Sequence, residues 1–402
     1  MGKRCKYSLV FKNQYNFRGF KITGISHDDE QLLIELRRSK KPPVCPRCGR
    51  RVKRVEEEHV RVVRDLDFGS LRCYVQFSQY KIYCRCGHRG HEKIDFVREY
   101  SRCTRRLEKH VALLCQFMCI KEAAEVVLLD WKTVKSIDKN SMRDSLVSMD
   151  SCNPRVLGVD EIAYEKGHKY LTVVRDVDHG CVLWVGIGRK EVTLDLFFAV
   201  LGYEKSMKIE AVVMDMWDPY IASVRKNTRA DIVFDKFHIA KKAGECIDII
   251  RRKEFRSAGK QERKSWKDKR FLILGREKNL TEEKKETLQG LLSLNQPLYK
   301  AYLLKEQLLD ILDGHHANIA RFRLQTWKDN VIESGLTEFQ TLVKTLDHYM
   351  YGVTAYFKHR ITNAGSEGFN NKINIIKRRS YGLQDLEYFM LKILTRCRKP
   401  SP

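Results

Sequence analysis

The sequence predicts an α/β fold, in which a mixed-sheet core carries a helical insertion and follows a small β module and a helix-turn-helix. Three observations predict it. Residues 155–240 alternate short apolar strands with amphipathic helices in the order βββαβα. Residues 241–355 have an almost uniform helical pattern. Nearer the N-terminus, two cysteine pairs bracket strand-like segments, which indicates a small module built around a metal ion.

The length of the chain predicts several domains. At roughly 150 residues per domain, 402 residues suggest about two to four of them. Changes in hydrophobic period set their boundaries. The predicted segments are 1–100 with a finger at about 44–91, 101–150 with the helix-turn-helix, 151–240 with the first part of the core, 241–355 with the helical insertion, and 356–402 with a final acidic helix and a C-terminal helix.

The charge of the chain favours a polyanionic partner. It has 76 Lys and Arg residues against 51 Asp and Glu, a formal charge of +25 and a pI near 9.5. Phosphate neutralisation supplies most non-specific affinity for nucleic acids, so DNA or RNA is favoured over an anionic membrane or a merely solvated surface. No apolar run of about 18 residues could span a bilayer, and no signal peptide is visible. We therefore expect a cytoplasmic protein with no membrane partner.

Four cysteines indicate a structural zinc site. Cys45 and Cys48 have the C-x-x-C spacing that lets two thiolates reach one ion, and the glycine after them relieves a tight turn. Cys84 and Cys86 form a second pair, which a hairpin could bring back to the same point. Four thiolates would close a tetrahedral site and stabilise a module too small for a large core.

Alternatives to this ligand set come from two nearby histidines. His88 or His91 could replace Cys84 or Cys86, since imidazole also binds zinc. Cys73 lies inside a predicted strand and is expected to be a core residue. With no export signal, a reducing compartment favours metal binding over disulfides.

The segment after the β module predicts a helix-turn-helix. Residues 120–142 show helical spacing on both sides of a short break, and Asp130 is placed to cap the second of these helices. Two helices joined in this way are typical of DNA-binding proteins. We predict that Lys132, Thr133 and Lys135, at the start of the second helix, contact DNA.

The βββαβα order is typical of an RNase H-like core, in which carboxylates hold two divalent cations for phosphodiester chemistry. Asp160 is an acid inside an otherwise apolar strand, whereas Glu161 should face the other side by strand alternation. Asp215 ends the next buried strand, at the edge where open α/β sheets bind ligands. Asp218 is its competitor, but it also suits the N-cap of the following helix.

A late glutamate completes the candidate acidic site. Gly365 and Gly368 flank Glu367, so the backbone could turn sharply into a helix there. Asn370 follows and offers an amide for a phosphate or for another site residue. A polar and cationic series comes next, which could track a DNA backbone or could be a solvated helix face. The predicted DNA contacts in it are Asn371, Lys372, Lys377, Arg378 and Arg379.

Taken together, these motifs resemble those of the bacterial insertion-sequence transposases of the ISL3 group. The resemblance covers most of the chain from Cys45 onward. CPRCG and residues 123–137 are similar to the family's DNA-binding front end. GVDEIA and VVMDMWDPYIASV, with ADIVFDKFHIAKKA after them, are similar to its two aspartate motifs. TNAGSEGFNNKINIIKRRSYGL is similar to its glutamate motif, the longest and most specific of these matches.

The resemblance implies a function. Matched motif by motif, it makes Asp160, Asp215 and Glu367 the catalytic acids, which would hold two Mg²⁺ or Mn²⁺ ions beside the structural Zn²⁺. It implies binding of double-stranded DNA at terminal inverted repeats, cleavage there, and transfer of the freed end to target DNA. Pairing two ends implies a homodimer or larger assembly. The host would be bacterial or archaeal, and the protein would be associated with its nucleoid.

Two other functions fit parts of the sequence. One is a zinc-finger and helix-turn-helix regulator without catalytic activity, against which the three intact acids argue. The other is a different RNase H-like nuclease, against which the long helical insertion and the separate DNA-binding segment argue. Within the insertion, Trp266 and Trp327 could stack on an unpaired base, but core packing is the preferred interpretation.

Overall fold

The structure is a computed structural model, and the residues it describes fall into two compact units, which divide between Ser145 and Leu146. The side chains of residues 364–367 are outside this description, and so is Trp266. The described residues are 17–39, 41–146, 148–165, 167–259, 263, 269–361, 364–379 and 385–397.

The first unit contains a five-stranded sheet. Its order is β1-β2-β4-β3, with β5 paired to β4, and β2–β4 is a parallel pair while the others are antiparallel. Alternate residues of β4, including Cys73, Val75 and Phe77, are buried, as predicted for a half-buried strand and for Cys73. The strands are β1 Phe20–His27, β2 Gln31–Arg38, β3 Val55–Arg64, β4 Arg72–Tyr83 and β5 Arg89–His91.

Three helices follow the sheet, α1 Arg105–Phe117, α2 Ile120–Val127 and α3 Trp131–Asp144. The predicted helix, tight turn and helix are thus present. Asp130 caps α3 as expected, because its carboxylate accepts the Lys132 backbone N–H at 2.9 Å. The buried faces of the three helices share one apolar cluster.

The second unit has a mixed sheet of order β10-β9-β6-β7-β8. β6–β7 and β7–β8 are antiparallel, whereas β6–β9 and β9–β10 are parallel. This is the RNase H-like arrangement that the βββαβα pattern predicts. The strands are β6 Val156–Glu165, β7 Lys169–Asp176, β8 Cys181–Ile187, β9 Ala211–Met214 and β10 Asp231–Phe234.

Helices cover both faces of this sheet. On one face, Leu157 and Val159 of β6 share the main core with Leu194 and Phe197. The opposite face packs on the last two helices, Ala364–Arg379 and Leu386–Arg396. The helices of this unit are α4 Glu191–Leu201, α5 Tyr203–Ser206, α6 Asp218–Asn227, α7 Lys236–Ser257, α8 Arg270–Leu274, α9 Glu282–Ser293, α10 Gln296–Asp313, α11 Ala317–Ser334, α12 Thr337–His348, α13 Met350–His359, α14 Ala364–Arg379 and α15 Leu386–Arg396.

The predicted insertion is helical wherever it is described. Between β10 and α14 the described residues form helices and short turns, with no strand among them. Trp327, on α11, is buried and donates its indole N–H to the Leu304 carbonyl at 2.8 Å, so it is a core residue, in agreement with the preferred interpretation. In the part of the chain that the structure describes, no helix is both long and apolar enough to cross a bilayer.

Candidate functional site

Two predicted acids lie side by side on neighbouring parallel strands, Asp160 in the middle of β6 and Asp215 directly after the end of β9. Gly158 on β6 is opposite Val213 on β9. Asp160 and Asp215 each come two residues after that pair, so they reach the same level and the same face of the sheet. Both line a cavity of about 200 Å³. Strand register therefore brings these two predicted site residues together.

Hydrogen bonds fix the carboxylate of Asp160. One of its oxygens accepts the Asn370 side-chain amide at 2.7 Å, and the other accepts the Glu161 backbone N–H at 2.7 Å. Burial raises the pKa of Asp160, and the negative charge of Asp215 acts in the same direction, while the Asn370 bond opposes both. A cation in the cavity would favour the charged form, and carboxylate oxygens are the ligands that Mg²⁺ prefers.

Apolar packing holds Asn370 in reach of Asp160. Phe369 and Ile373 lie one turn apart on α14, and both pack in the cluster that includes Ile162 of β6. The Arg175 guanidinium lies 5.1 Å from the centre of the Phe369 ring. Arg175 also approaches Gly158 so closely that an added Cβ would lie 2.8 Å from its Nη2. A side chain in place of the glycine in GVDEIA would therefore require the Arg175 guanidinium to shift.

A histidine that the sequence did not assign to the site contacts the second acid. His238 Nε2 lies 2.5 Å from Asp215 Oδ1. Burial disfavours the charged ring, but the contact with Asp215 outweighs it, and the pKa of His238 is raised. Asp235 caps α7, accepting the Phe237 backbone N–H at 3.1 Å, and this cap places His238 in the first turn of the helix.

The neighbouring acids have other partners. Glu161 pairs with Arg189 at 3.1 Å. Asp218 accepts the Tyr349 hydroxyl at 2.8 Å. Trp217 is the N-cap residue of α6 and Asp218 belongs to the first helical turn, so the prediction that Asp218 is the cap is wrong by one position. Pro219 therefore occupies the second helical position, where its missing N–H still costs no intrahelical hydrogen bond.

The third predicted acid is partly outside the description. The backbone of Glu367 is helical and lies in α14, three residues before Asn370, but its side chain is not described. Of the cationic series after it, Lys377 donates its ammonium to the Ala163 carbonyl at 3.1 Å and so ties α14 to β6. The exposed members of that series are Asn371, Lys372, Arg378 and Arg379.

In the helix-turn-helix, the predicted DNA contacts lie in the first turns of α3. Lys132 is exposed, and Thr133 and Lys135 are half-buried. Trp131, the first residue of α3, is 51% exposed although its side chain is large and apolar. Trp131 is not among the predicted DNA contacts, and its exposure adds it to the surface around Lys132.

The four predicted zinc ligands converge. One Sγ from each of Cys45, Cys48, Cys84 and Cys86 lies within 4.8 Å of the others. The closest pairs are Cys45–Cys86 at 3.7 Å and Cys48–Cys84 at 3.6 Å. This is the spacing of thiolates around one tetrahedral ion. The set is therefore four cysteines, and the alternative with a histidine ligand is not needed.

Two glycine turns shape this cluster. Gly49 donates its N–H to the Cys45 carbonyl at 3.0 Å, and Gly87 donates to the Cys84 carbonyl at 2.9 Å. Both glycines have positive φ, +71° and +86°, which other residues rarely adopt. The second turn explains how the C-x-C pair, despite its short spacing, presents both sulfurs to the same point.

Comparisons with known proteins agree with this architecture. A transposase model of the ISL3 DDE type matches residues 157–393, a helix-turn-helix domain of transposase family ISL3 matches residues 92–141, and the zinc finger of transposases IS204/IS1001/IS1096/IS1165 matches residues 41–87. The chain is 34% identical over 367 residues to the transposase for insertion sequence element IS1001 of Bordetella parapertussis, covering 90% of each chain. It is 27% identical over 370 residues to the transposase for insertion sequence element IS1557 of Mycobacterium tuberculosis, covering 85% of this chain and 82% of that one.

These matches cover the cysteine cluster, the helix-turn-helix and most of the second unit. The zinc-finger match and the four-cysteine cluster together support a structural zinc ion. The helix-turn-helix match implies DNA binding by the first unit. The transposase match spans the sheet with Asp160 and Asp215, the helical insertion and α14. This chain belongs to the ISL3 family of insertion-sequence transposases.

Proposed function

We propose that the chain cuts DNA at the ends of an insertion sequence and joins the freed ends to target DNA, with Asp160, Asp215 and Glu367 as catalytic acids. The observation that carries the proposal is the convergence of two carboxylates from neighbouring strands in one cavity, one of them held by Asn370 from a helix far along the chain. Carboxylates so arranged suit phosphodiester cleavage and transfer, which need positioning and charge compensation more than covalent help from protein.

The position of Asn370 supports Glu367 as the third acid. Residues three apart on a helix share a face. Asn370 contacts Asp160, and Glu367 precedes it by three residues on α14. Of the acids near the motif, Glu367 is therefore the one whose place in the helix suits the cavity.

Two Mg²⁺ or Mn²⁺ ions would be held by these three acids. When bound, they would activate the attacking oxygen and stabilise the leaving oxygen. The protein's own residues prepare the site: Asn370 and His238 hold the two aspartates. Lys241 and Lys242 line the same cavity and bring positive charge toward a bound phosphate.

DNA recognition is assigned to both units. We propose that Lys132, Thr133 and Lys135 on α3 contact the terminal inverted repeats, with the zinc module supporting that binding. On α14, the exposed Asn371, Lys372, Arg378 and Arg379 would contact DNA backbone next to the acids. Lys377 is assigned mainly to holding α14 on β6.

We also propose how the chain is organised. The core would comprise residues 151–240 and 356–402, with 241–355 inserted between them, and residues 1–100 and 101–150 would form the finger and helix-turn-helix segments. Joining two ends to one target requires both ends in one complex, so a homodimer or larger assembly is proposed.

A cleavage and joining assay tests the proposal. The full chain is incubated with Mg²⁺ and a duplex containing an end of its own element, together with target DNA. Nicking at the end and products with a 3′-end joined to target are expected. Asp160→Asn, Asp215→Asn and Glu367→Gln should each abolish both products while leaving end binding within about threefold.

The control is Asp218→Asn, which changes a nearby acid bonded to Tyr349 and should remain active. Nicked but never joined products would instead favour a nuclease. End binding without any cleavage would favour a regulator. An inactive Asp218→Asn with an active Asp215→Asn would move the second acid to Asp218.

A further inference from the structure

A second, larger cavity opens beside the acidic site. Its volume is about 740 Å³, and Asp160 and Asn370 line one end of it. The other lining residues come from the start of α7, the end of α8 with the segment after it, and α10. Leu274, Leu309 and Leu312 give it apolar walls. The candidate catalytic acids account for only the Asp160 end, so the remaining volume needs another explanation.

An aromatic side chain lies exposed in this cavity. Phe237, the second residue of α7, lines it and is 56% exposed. The core-facing residues of α7 recur through Ile239, Ala243 and Ile247, and Phe237 is outside that stripe. Exposure of so large an apolar ring, next to an acidic site, is not explained by the packing of the helix.

Positive charge surrounds the aromatic ring. Lys241 lines both cavities, is exposed, and makes no ion pair within the described residues. On the far side, three cations converge on the carboxylate of Asp313: Lys278 at 2.5 Å, Arg276 at 2.6 Å and Lys236 at 3.1 Å. Arg276 also pairs with Asp310 at 2.6 Å and contacts Glu306, which pairs with Lys305. Four cations thus meet three carboxylates, and the one excess positive charge on this wall also favours an anion.

We propose that this cavity binds one unpaired nucleotide of the DNA strand next to the scissile phosphate, with its base against Phe237 and its phosphate near Lys241. The inference rests on the proposed function, which puts the scissile phosphate at Asp160. Cavities that hold small ligands measure roughly 300–1,000 Å³, and this one lies in that range. An aromatic ring stacks on any base, and a lysine contacts any phosphate. The site would therefore select a nucleotide by its position relative to the cleavage point more than by the identity of its base.

Binding there would place the scissile phosphate. A base drawn out of the helix loses its stacking and pairing, and a pocket that accepts it compensates for that loss. Because the cavity begins at Asp160, a nucleotide held in it would fix the adjacent phosphodiester at the acids. The proposed role of Phe237 and Lys241 is therefore to position the substrate.

The test combines a protein change with single-base deletions in the DNA. Duplexes carrying an end of the element are made with one abasic site at each position flanking the cleavage point. Cleavage rates and dissociation constants are measured for the wild-type full chain and for Phe237→Ala. At one position, loss of the base should slow wild-type cleavage about tenfold or more, the expected effect of one lost base–aromatic stack. The same abasic site should lower the cleavage rate of the Phe237→Ala variant less than about threefold.

Two further variants separate stacking from structure. Phe237→Trp keeps an aromatic face and should behave as the wild type. Phe271→Ala removes a phenylalanine that is 80% exposed and does not line the cavity, and it should leave every rate within about twofold. If Phe237 had only a structural role, Phe237→Ala would instead cleave the intact and the abasic duplexes more slowly by the same factor.

The outcomes distinguish this inference from the proposed function. One outcome is that the wild type cuts the intact duplex while every abasic site changes its cleavage rate by the same factor as that of Phe237→Ala. In that case the nucleotide site is wrong and the catalytic proposal stands. If the wild type does not cut, the catalytic proposal fails, but the dissociation constants still test the nucleotide site. An abasic position that weakens binding of the wild type but not of Phe237→Ala supports the site. Equal weakening of both proteins at every abasic position overturns it.

Discussion

Asn370 donates a 2.7 Å hydrogen bond to the carboxylate of Asp160, although 210 positions separate the two residues in the chain. The bond links α14 to the middle of β6 across the whole helical insertion. With the other Asp160 oxygen bound by the Glu161 backbone, both oxygens have a fixed orientation. A carboxylate held in this way is ready to bind a cation without first losing side-chain freedom.

Asn370→Ala should therefore impair catalysis without removing a proposed catalytic residue. Loss of a residue that orients a metal ligand typically lowers metal affinity or activity by roughly 10–100-fold, and we expect a decrease of that size in the cleavage rate. The measurement is the rate of end cleavage as a function of Mg²⁺ concentration. Asn374→Ala, which changes an exposed asparagine of the same helix without a proposed role, is the control and should reduce the rate less than about threefold. Equal effects of the two changes would contradict the assignment.

His238→Ala tests the contact at the second aspartate. His238 lies 2.5 Å from Asp215, and its loss should free that carboxylate and lower the cleavage rate by roughly 10–100-fold. His179→Ala is a matched control, because His179 lies 2.8 Å from Asp176 at a turn after β7, outside both cavities. It should leave the rate within about twofold. Unimpaired cleavage by His238→Ala would mean that the contact is incidental.

Much of the fold could be predicted because hydrophobic period is a local signal. The spacing of apolar residues correctly predicted the strands β6–β8, the helical insertion and the helix-turn-helix. Asp130 caps α3 as expected. Strand β1, by contrast, was not assigned. A register shift between Ile22 and Gly24 breaks the alternation of its side chains. The parallel β2–β4 pair could not be predicted either, since it depends on contacts between distant segments.

The same difference between local signals and contacts of distant segments decides which site residues could be predicted. Asp160 and Asp215 stand out because each is an acid at an apolar strand, a signal contained in a few neighbouring residues. The contact of His238 with Asp215 could not be predicted because it depends on β10 lying next to β9, which puts the start of α7 beside Asp215. Asn370 was noted as an amide with several uses, and only the packing of α14 on β6 selects Asp160 as its partner.

Removal of one zinc ligand should release the metal and weaken DNA binding. Cys48→Ser removes one of the four sulfur atoms of the cluster, so the zinc content should fall from about one ion per chain to near zero. Cys48 is exposed, and its substitution creates no cavity in the core. The measurements are zinc per chain and affinity for an end-containing duplex, with unrelated DNA for comparison. Cys152→Ser, at a cysteine outside the cluster, should keep its zinc. Full zinc in Cys48→Ser would rule out a four-thiolate site.

Trp327→Ala should destabilise the second unit and leave DNA chemistry without a specific defect. Trp327 is 1% exposed, and removal of a buried aromatic side chain lowers the free energy of unfolding by about 3–5 kcal/mol. Phe322→Ala, on the same helix but 74% exposed, should change it by less than about 0.5 kcal/mol. Urea unfolding followed by circular dichroism measures both. If Trp327 stacked on an unpaired base instead, its loss would leave stability unchanged and weaken end binding, and the buried indole bonded to Leu304 argues for the opposite result.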